Sequence, residues 1–331
     1  MLIHAHAYAR AGLVGNPSDG YFGKTISIIV KNFRCHITLY ESPRLVIVPG
    51  HRDQSDFDSI EHLVAFVEEA GYYGGIRLIK ATIKKFHDYC AQRGISLGQK
   101  NFTIEYDTDI PLRVGLAGSS AIVTATMRAL MQFYNVEIPK PLLPGLILST
   151  ETDELKITAG LQDRVVQVYE GCIYMDFDRE WLEKQGHGLY EPLDLSLLPS
   201  LFIAYHDALT EGTEVAHSPV RERWLAGEPK VVQTMNRIAD LAARARDLLL
   251  AGRGTEIGPL LDENFDLRAS IYQISPGNSQ LVERARREGA HVHFAGSGGA
   301  VVGVCRDDAM FDRLAHSYAQ MGARILKPIL Q

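Results

Sequence analysis

PLRVGLAGSSAIVTATMRALMQFY, residues 111–134, is the stretch on which the reading of this chain turns. Gly115, Ala117 and Gly118 leave the backbone open, and Ser119 and Ser120 lead into a run whose apolar spacing predicts a helix over 120–134. Small residues let a backbone approach a ligand closely. The helix start adds unpaired N–H groups and the positive end of a dipole, which together favour an anion such as phosphate. A serine hydroxyl there can also reach a Mg²⁺ that bridges phosphates. The same residues can be read more simply, as a glycine turn with Ser119 or Ser120 as an N-cap.

The rest of the chain limits what such a loop can serve. At 331 residues it has room for two domains, and 46% apolar composition supplies their cores. Lys plus Arg number 34 against 40 Asp plus Glu, a net charge of −6. That argues against a nucleic-acid backbone as partner of the chain as a whole, while a local site can still hold a small anion. Cys35, Cys90, Cys172 and Cys305 are far apart and form no CxxC pair, so neither a disulfide framework nor a zinc site is expected. No apolar run is long enough for a membrane and no leader pattern opens the chain, which points to the cytoplasm.

Strands and helices alternate along the chain. Residues 2–10 and 25–40 read as strands around the turn-rich GNPSDGYFG, and 56–70 and 76–92 read as helices. NFTIEYD is a half-buried strand and GCIYMDFD another, while 181–199 reads as irregular. LFIAYH is then a strand, with helices near 214–226, 230–251, 256–273 and 277–289. HVHFAGSGGAVVGVC reads as strand, glycine turn, strand, followed by a helix over 306–322 and a last strand in ARILKPI. The division falls at 1–185 and 186–331.

Two glycine motifs mislead. GYFGKT resembles the end of a Walker A loop, but Ser18 occupies the position of its first glycine and ISIIV, a strand, follows. GSGG at 296–299 lacks the third glycine of a dinucleotide fingerprint and also precedes a strand.

Four segments in one order carry more weight: ARAGLVGNPSDGYFG (9–23), PLRVGLAGSSA (111–121), STETDELKITAGLQDRVVQVYEG (149–171) and VHFAGSGGAVV (292–302). This order resembles the GHMP family of small-molecule kinases over nearly the whole chain. GNPSDGYFGKTIS, GYYGGIRL, LDLSLLP and HSPVRERWLAG are similar, more narrowly, to the glucuronokinases, which phosphorylate the anomeric hydroxyl of glucuronic acid with ATP and Mg²⁺. The resemblance implies an α+β fold of two domains: an N-terminal domain with a left-handed βαβ unit and a ferredoxin-like C-terminal domain, as a monomer or homodimer. The loop GLAGSS is one small residue longer than the family's usual GLGSS, which leaves open whether Ser119 or Ser120 reaches the metal.

The resemblance also implies site residues. Gly115, Leu116, Ala117, Gly118, Ser119, Ser120 and Ala121 match the ATP-phosphate loop. Gly296, Ser297, Gly298 and Gly299 match the third motif, which supports that loop. Asp163 matches the catalytic carboxylate, which would accept the proton of the sugar hydroxyl; an Asp there could equally cap the following helix. Arg10 matches the basic residue beside it, able to keep the carboxylate ionised and stabilise the transferring phosphoryl group. Glu151 with Ser120 is the expected Mg²⁺ pair, with Glu154 as the alternative. Asp19 matches a sugar-hydroxyl acceptor, or forms an Asx turn in NPSDG. A uronate also needs a cation, ideally a guanidinium fork. Lys24, Arg164 and Arg221 are candidates, with Tyr21 and His217 as further contacts. Two other readings stand beside this one: a GHMP kinase for galactose, a heptose phosphate or mevalonate, and an RNA-binding α+β protein. The negative charge and the lack of an aromatic RNP1-type strand oppose the second.

Overall fold

The computed structural model describes residues 1–53, 57–70, 74–209 and 213–331. Strand β1 (Leu2–Val14) pairs antiparallel with the long β2 (Lys24–Ser42). The alternation HAHAYARAG buries Ala5, Ala7, Ala9 and Ala11, and these small side chains let a helix lie close to the sheet. That helix is α3 (Gly118–Tyr134), which packs on β1 and β2.

The other edge of β2 is shared. Its end, Cys35–Ser42, pairs with β4 (Asn101–Thr108), and its start, Lys24–Ile28, pairs with β5 (Cys172–Asp176). Strand β3 (Val46–Ile47) adds parallel to β4, and β6 (Leu189–Leu193) adds antiparallel to β5. Helices α1 (Ile60–Ala70) and α2 (Gly75–Gln92) lie in the β3–β4 crossover, a βαβ unit. The expected start of α1 at Asp56 lies outside the described residues.

Strand β7 (Leu201–Tyr205) opens the second sheet, which runs β10-β7-β9-β8 with all neighbours antiparallel. Here β8 is His291–Phe294, β9 Ala300–Val304 and β10 Arg324–Leu326. Helices α7 (Thr213–Leu225), α8 (Pro229–Leu250), α9 (Gly258–Ala269) and α10 (Pro276–Arg287) separate β7 from β8, and α11 (Asp308–Ala319) separates β9 from β10. With its helical crossovers, this order is the ferredoxin-like arrangement, and the fold is α+β.

One expectation needs correction. Residues 181–199 are not irregular. Helix α6 (Arg179–Gln185) forms because the Asp178 side chain accepts from the N–H groups of Glu180 and Trp181, a cap that the composition hid. Strand β6 follows on the edge of the first sheet, where its Pro192 is tolerated. The chain therefore leaves the first sheet after Leu193, past the 185/186 division read from sequence. Helix α8 crosses back onto β2, and Leu241, Ala242, Ala245 and Leu249 join the core that holds Ile26 and Ile28. The two halves are thus locked on one core beneath a shared cleft.

Candidate active site

A cleft of about 570 Å³ lies where β1, the loop ahead of α3 and the glycine turn between β8 and β9 converge. The loop Gly115–Ala117 turns through left-handed backbone at Gly115 (φ 73°) and Ala117 (φ 63°), and Ala117 caps α3. No cap side chain covers the first N–H groups of α3, so they are open to a ligand. The turn is held from behind: Gln167 of α5 (Gln162–Tyr169) donates to the Ala117 carbonyl at 3.0 Å. Gly115 backs directly onto the second glycine turn, where a Cβ would come within 2.9 Å of both Gly298 O and Ser297 N.

Arg10 joins these parts. Its Nε donates to Asp163 Oδ1 at 2.6 Å, and its Nη1 donates to the carbonyls of Gly115 (2.8 Å) and Ala295 (2.7 Å). The side chain is 6% exposed, against 17% for Asp163, so of the two cleft-lining partners the carboxylate is the more open. Asp163 does not cap its helix. It stands in the first turn of α5, behind the cap residue Leu161, where the helix dipole favours its negative charge.

Glu151 lies in a single π-helical turn, Thr150–Glu154, that follows α4 (Leu143–Ser149) and brings it under the start of α3. Its Oε1 accepts from Ser119 Oγ at 2.9 Å and its Oε2 from Arg164 Nη2. Ser119 lines the cleft. Ser120, the serine expected at the metal, does not: it is buried and donates to the Ala117 carbonyl at 3.1 Å. Glu154, the alternative carboxylate, points away and pairs with Lys84 at 3.0 Å. Arg164 is 3% exposed and also approaches Asp163 Oδ2 at 3.4 Å. Its guanidinium lines the cleft while paired with Glu151 and Asp163. No group of three or more His, Cys, Asp or Glu side chains among the described residues is arranged to hold a metal ion. One hydroxyl and one carboxylate are the donor set here, which suits a Mg²⁺ that takes its remaining ligands from phosphates and water.

Across the cleft, Asp19 rests on Gln162, whose backbone N (3.3 Å) and Nε2 (3.2 Å) both donate to it. Burial, and after it the negative charge of Asp163, pushes the Asp19 carboxyl up to about 7. Gln162 also donates to Asn16 Oδ1 at 3.0 Å, and Asn16 donates to Gly296 O at 3.1 Å. Tyr21 lines the same end and meets Tyr272 OH at 3.2 Å. Arg221 reaches that rim from α7. Lys24 does not enter the cleft; it pairs with Asp176 at 3.6 Å along the β2–β5 edge. The His217 side chain lies outside the described residues.

Of the second glycine turn, Gly296 and Ser297 line the cleft, while Gly298 and Gly299 lie behind it. Its carbonyls are fixed by buried Arg268, which donates to Gly296 O (2.7 Å) and Ser297 O (3.0 Å). Asn278 Oδ1 accepts from Gly299 N at 2.7 Å, and Asn264 Oδ1 from Gly15 N at 2.6 Å. The motif reading singled out none of these holders. Asn16 and Gln162 stood within quoted motifs, but Arg268, Asn278 and Asn264 lie on helices whose pattern gives no signal.

The far end of the cleft is apolar, with Leu78, Ile110, Pro111 and Leu112 around the Tyr106 ring. That ring fits between Gly50 and Gly75, where any Cβ would collide with it, and its hydroxyl donates to Asp53. Asp53 in turn accepts from Ile76 N at 3.1 Å, so one carboxylate fixes both the ring and the start of α2.

Comparison with known proteins agrees with this layout. Residues 77–171 match the model of the GHMP kinases N terminal domain, and residues 245–324 that of the GHMP kinases C terminal domain. The chain is 42% identical to glucuronokinase 1 of Arabidopsis thaliana, over 99% of this chain and 91% of that protein. It is 43% identical to probable glucuronokinase 2 of the same plant, over 98% and 90%. Its fold superposes on a Lactococcus lactis galactokinase solved with galactose, with a TM-score of 0.77 at 17% identity, covering 99% of this chain and 93% of that one.

Proposed function

The chain belongs to the GHMP kinase family, and we propose that it transfers the γ-phosphoryl group of ATP to the anomeric hydroxyl of D-glucuronate. The observation that carries this reading is the Arg10–Asp163 pair, set between a helix N-terminus open to phosphate and the polar end of the cleft at Asn16, Asp19 and Gln162.

The roles follow from where charge must develop. A sugar hydroxyl is a weak nucleophile at neutral pH, and Asp163 faces the cleft to orient it and accept its proton. Arg10 sets its positive charge against Asp163 and, through Gly115 and Ala295, fixes the two glycine turns relative to it. The N–H groups at the start of α3 receive the phosphates, in place before the reaction begins. Ser119 and Glu151 are the residues that would hold Mg²⁺; when bound, the ion supplies positive charge that neutralises the phosphate oxygens. Asp19, supported by Gln162 and Asn16, accepts hydroxyls of the sugar. The apolar wall at Tyr106 suits the adenine ring. Four buried free cysteines fit a reducing cytoplasmic setting.

The relatives with near-complete coverage are glucuronokinases, which favours glucuronate over the acceptors of other family members. A coupled ADP assay tests this with D-glucuronate, D-galactose, mevalonate and a heptose phosphate offered separately. Turnover with glucuronate at least about tenfold above the rest is expected. Faster turnover of any of the others would reassign the acceptor within the same family.

A further inference from the structure

The acceptor reading leaves a charge to be answered. The acid of a uronate hangs from the ring carbon next to the ring oxygen, as the anomeric hydroxyl hangs from the other. A cation that recognises it must therefore line the same cleft as Asp163, about one sugar ring away from it. Arg10 and Arg164 are close enough, but both are buried and already committed to Asp163, Glu151 and backbone carbonyls. Arg77 and Arg113 line the cleft beside Leu78 and Leu112, at the end proposed above for the adenine ring. Lys24 lies outside the cleft.

We propose that Arg221 reads the acid of the acceptor: its guanidinium, carried over the Asp19 loop by α7, pairs with the uronate carboxylate. Three observations converge on it. Arg221 lines the cleft, is exposed there, and makes one hydrogen bond among the described residues, from Nη1 to Gly20 O at 3.0 Å. Gly20 is the neighbour of Asp19, so the guanidinium stands at the sugar end. The direction of the side chain is also set by packing. Trp224, one turn along α7 on the same face, packs edge-on against Tyr21 (5.5 Å between ring centroids) and at a tilt against Phe22 (6.0 Å), and Val220 is buried against the same cluster. Finally, a guanidinium presents a planar fork that matches a carboxylate with two parallel bonds, and one Nη of Arg221 on a carbonyl leaves Nε and Nη2 for that purpose. The arrangement makes the loop Ser18–Phe22 and α7 a single specificity element: the group that reads the acid also steadies the loop that carries Asp19.

This inference rests on the uronate reading, and the test separates the two. Specificity is measured as the ratio of kcat/KM for D-glucuronate to that for D-glucuronamide, whose neutral amide replaces the acid. The wild-type ratio should be large, and Arg221→Ala should lower it at least about tenfold. Arg221→Lys should fall between, since a point charge keeps attraction but loses the fork. A loss shared equally by both substrates leaves the ratio unchanged. It would mean that Arg221 only holds Gly20, and it overturns the proposal. A wild-type ratio near one instead overturns the uronate reading itself. Should Arg221→Ala fold poorly, Arg221→Gln, which keeps much of the length without the charge, gives the same two outcomes.

Discussion

Arg10 Nε sits 2.6 Å from Asp163 Oδ1, and the same guanidinium grips the carbonyls of Gly115 and Ala295. One side chain of β1 thus ties the carboxylate facing the acceptor to both loops facing the phosphates. Arg10→Lys keeps a charge but cannot make three bonds in this fork geometry. It should lower kcat by more than about tenfold, and it should weaken ATP binding because the Gly115 turn loses its anchor. Unchanged nucleotide affinity in a titration of the variant would remove Arg10 from the loop's support.

Asp163→Asn keeps size and shape in the first turn of α5. Its amide cannot take a proton, so kcat should fall by about 10²–10⁴, the usual worth of a general base, with substrate affinities near normal. The transition state of phosphoryl transfer is loose and depends strongly on positioning. A loss under about tenfold would therefore assign Asp163 to orienting the hydroxyl rather than to proton transfer.

The two serines should separate cleanly. Ser119→Ala and Glu151→Gln should raise the Mg²⁺ concentration needed for half-maximal rate, whereas Ser120→Ala and Glu154→Gln should leave it near the wild-type value. Ser120 and Glu154 bond to Ala117 O and Lys84, away from the cleft. A shift in Ser120→Ala with none in Ser119→Ala would reverse the assignment.

Glycine should be required at 115 more strictly than at 118. A side chain at Gly115 meets both left-handed backbone and the Gly298 carbonyl, while a Cβ at Gly118 meets only Ile110 at 3.5 Å. Gly118→Ala should fold and melt within a few degrees of wild type. Gly115→Ala should melt lower and bind ATP more weakly. Equal melting temperatures for the two variants would contradict the packing of Gly115 against the second glycine turn.

Asp19 gives stability a pH dependence of defined sign. Its folded pKa of about 7 lies above the unfolded 3.8, so its contribution is full below about pH 4 and is lost as pH rises through 7. The groups that set it are Asp163, Gln162, Arg10 and Arg164. Asp19→Asn should therefore melt above wild type at pH 8, with the gap narrowing by pH 5. A gap that does not change between these values would show that Asp19 carries its charge in the fold without cost.

Much of this site could be read from four short segments because each contains residues with narrow backbone or chemical uses. Gly115, Arg10, Asp163 and Glu151 were named from their motifs, and the structure brings them together around one cleft. The choice between serines is not legible, since two adjacent hydroxyls read alike in sequence and only three dimensions show that Ser119 lines the cleft while Ser120 bonds to Ala117 O. Arg268, Asn264 and Asn278 stayed hidden for a similar reason: they act on backbone atoms distant in sequence, from helices with an ordinary pattern. Of the fold, the long alternating strands were plain, but α6 and β6 depend on a local cap and an edge pairing that composition does not announce.

The most direct test of the account is the position of the transferred group. The purified chain is incubated with ATP, Mg²⁺ and D-glucuronate, and the product is examined by phosphorus NMR. The account predicts ADP together with a sugar phosphate whose phosphorus couples to the anomeric proton. A phosphoryl group on any other hydroxyl, or ATP left intact while the protein is folded, would contradict it.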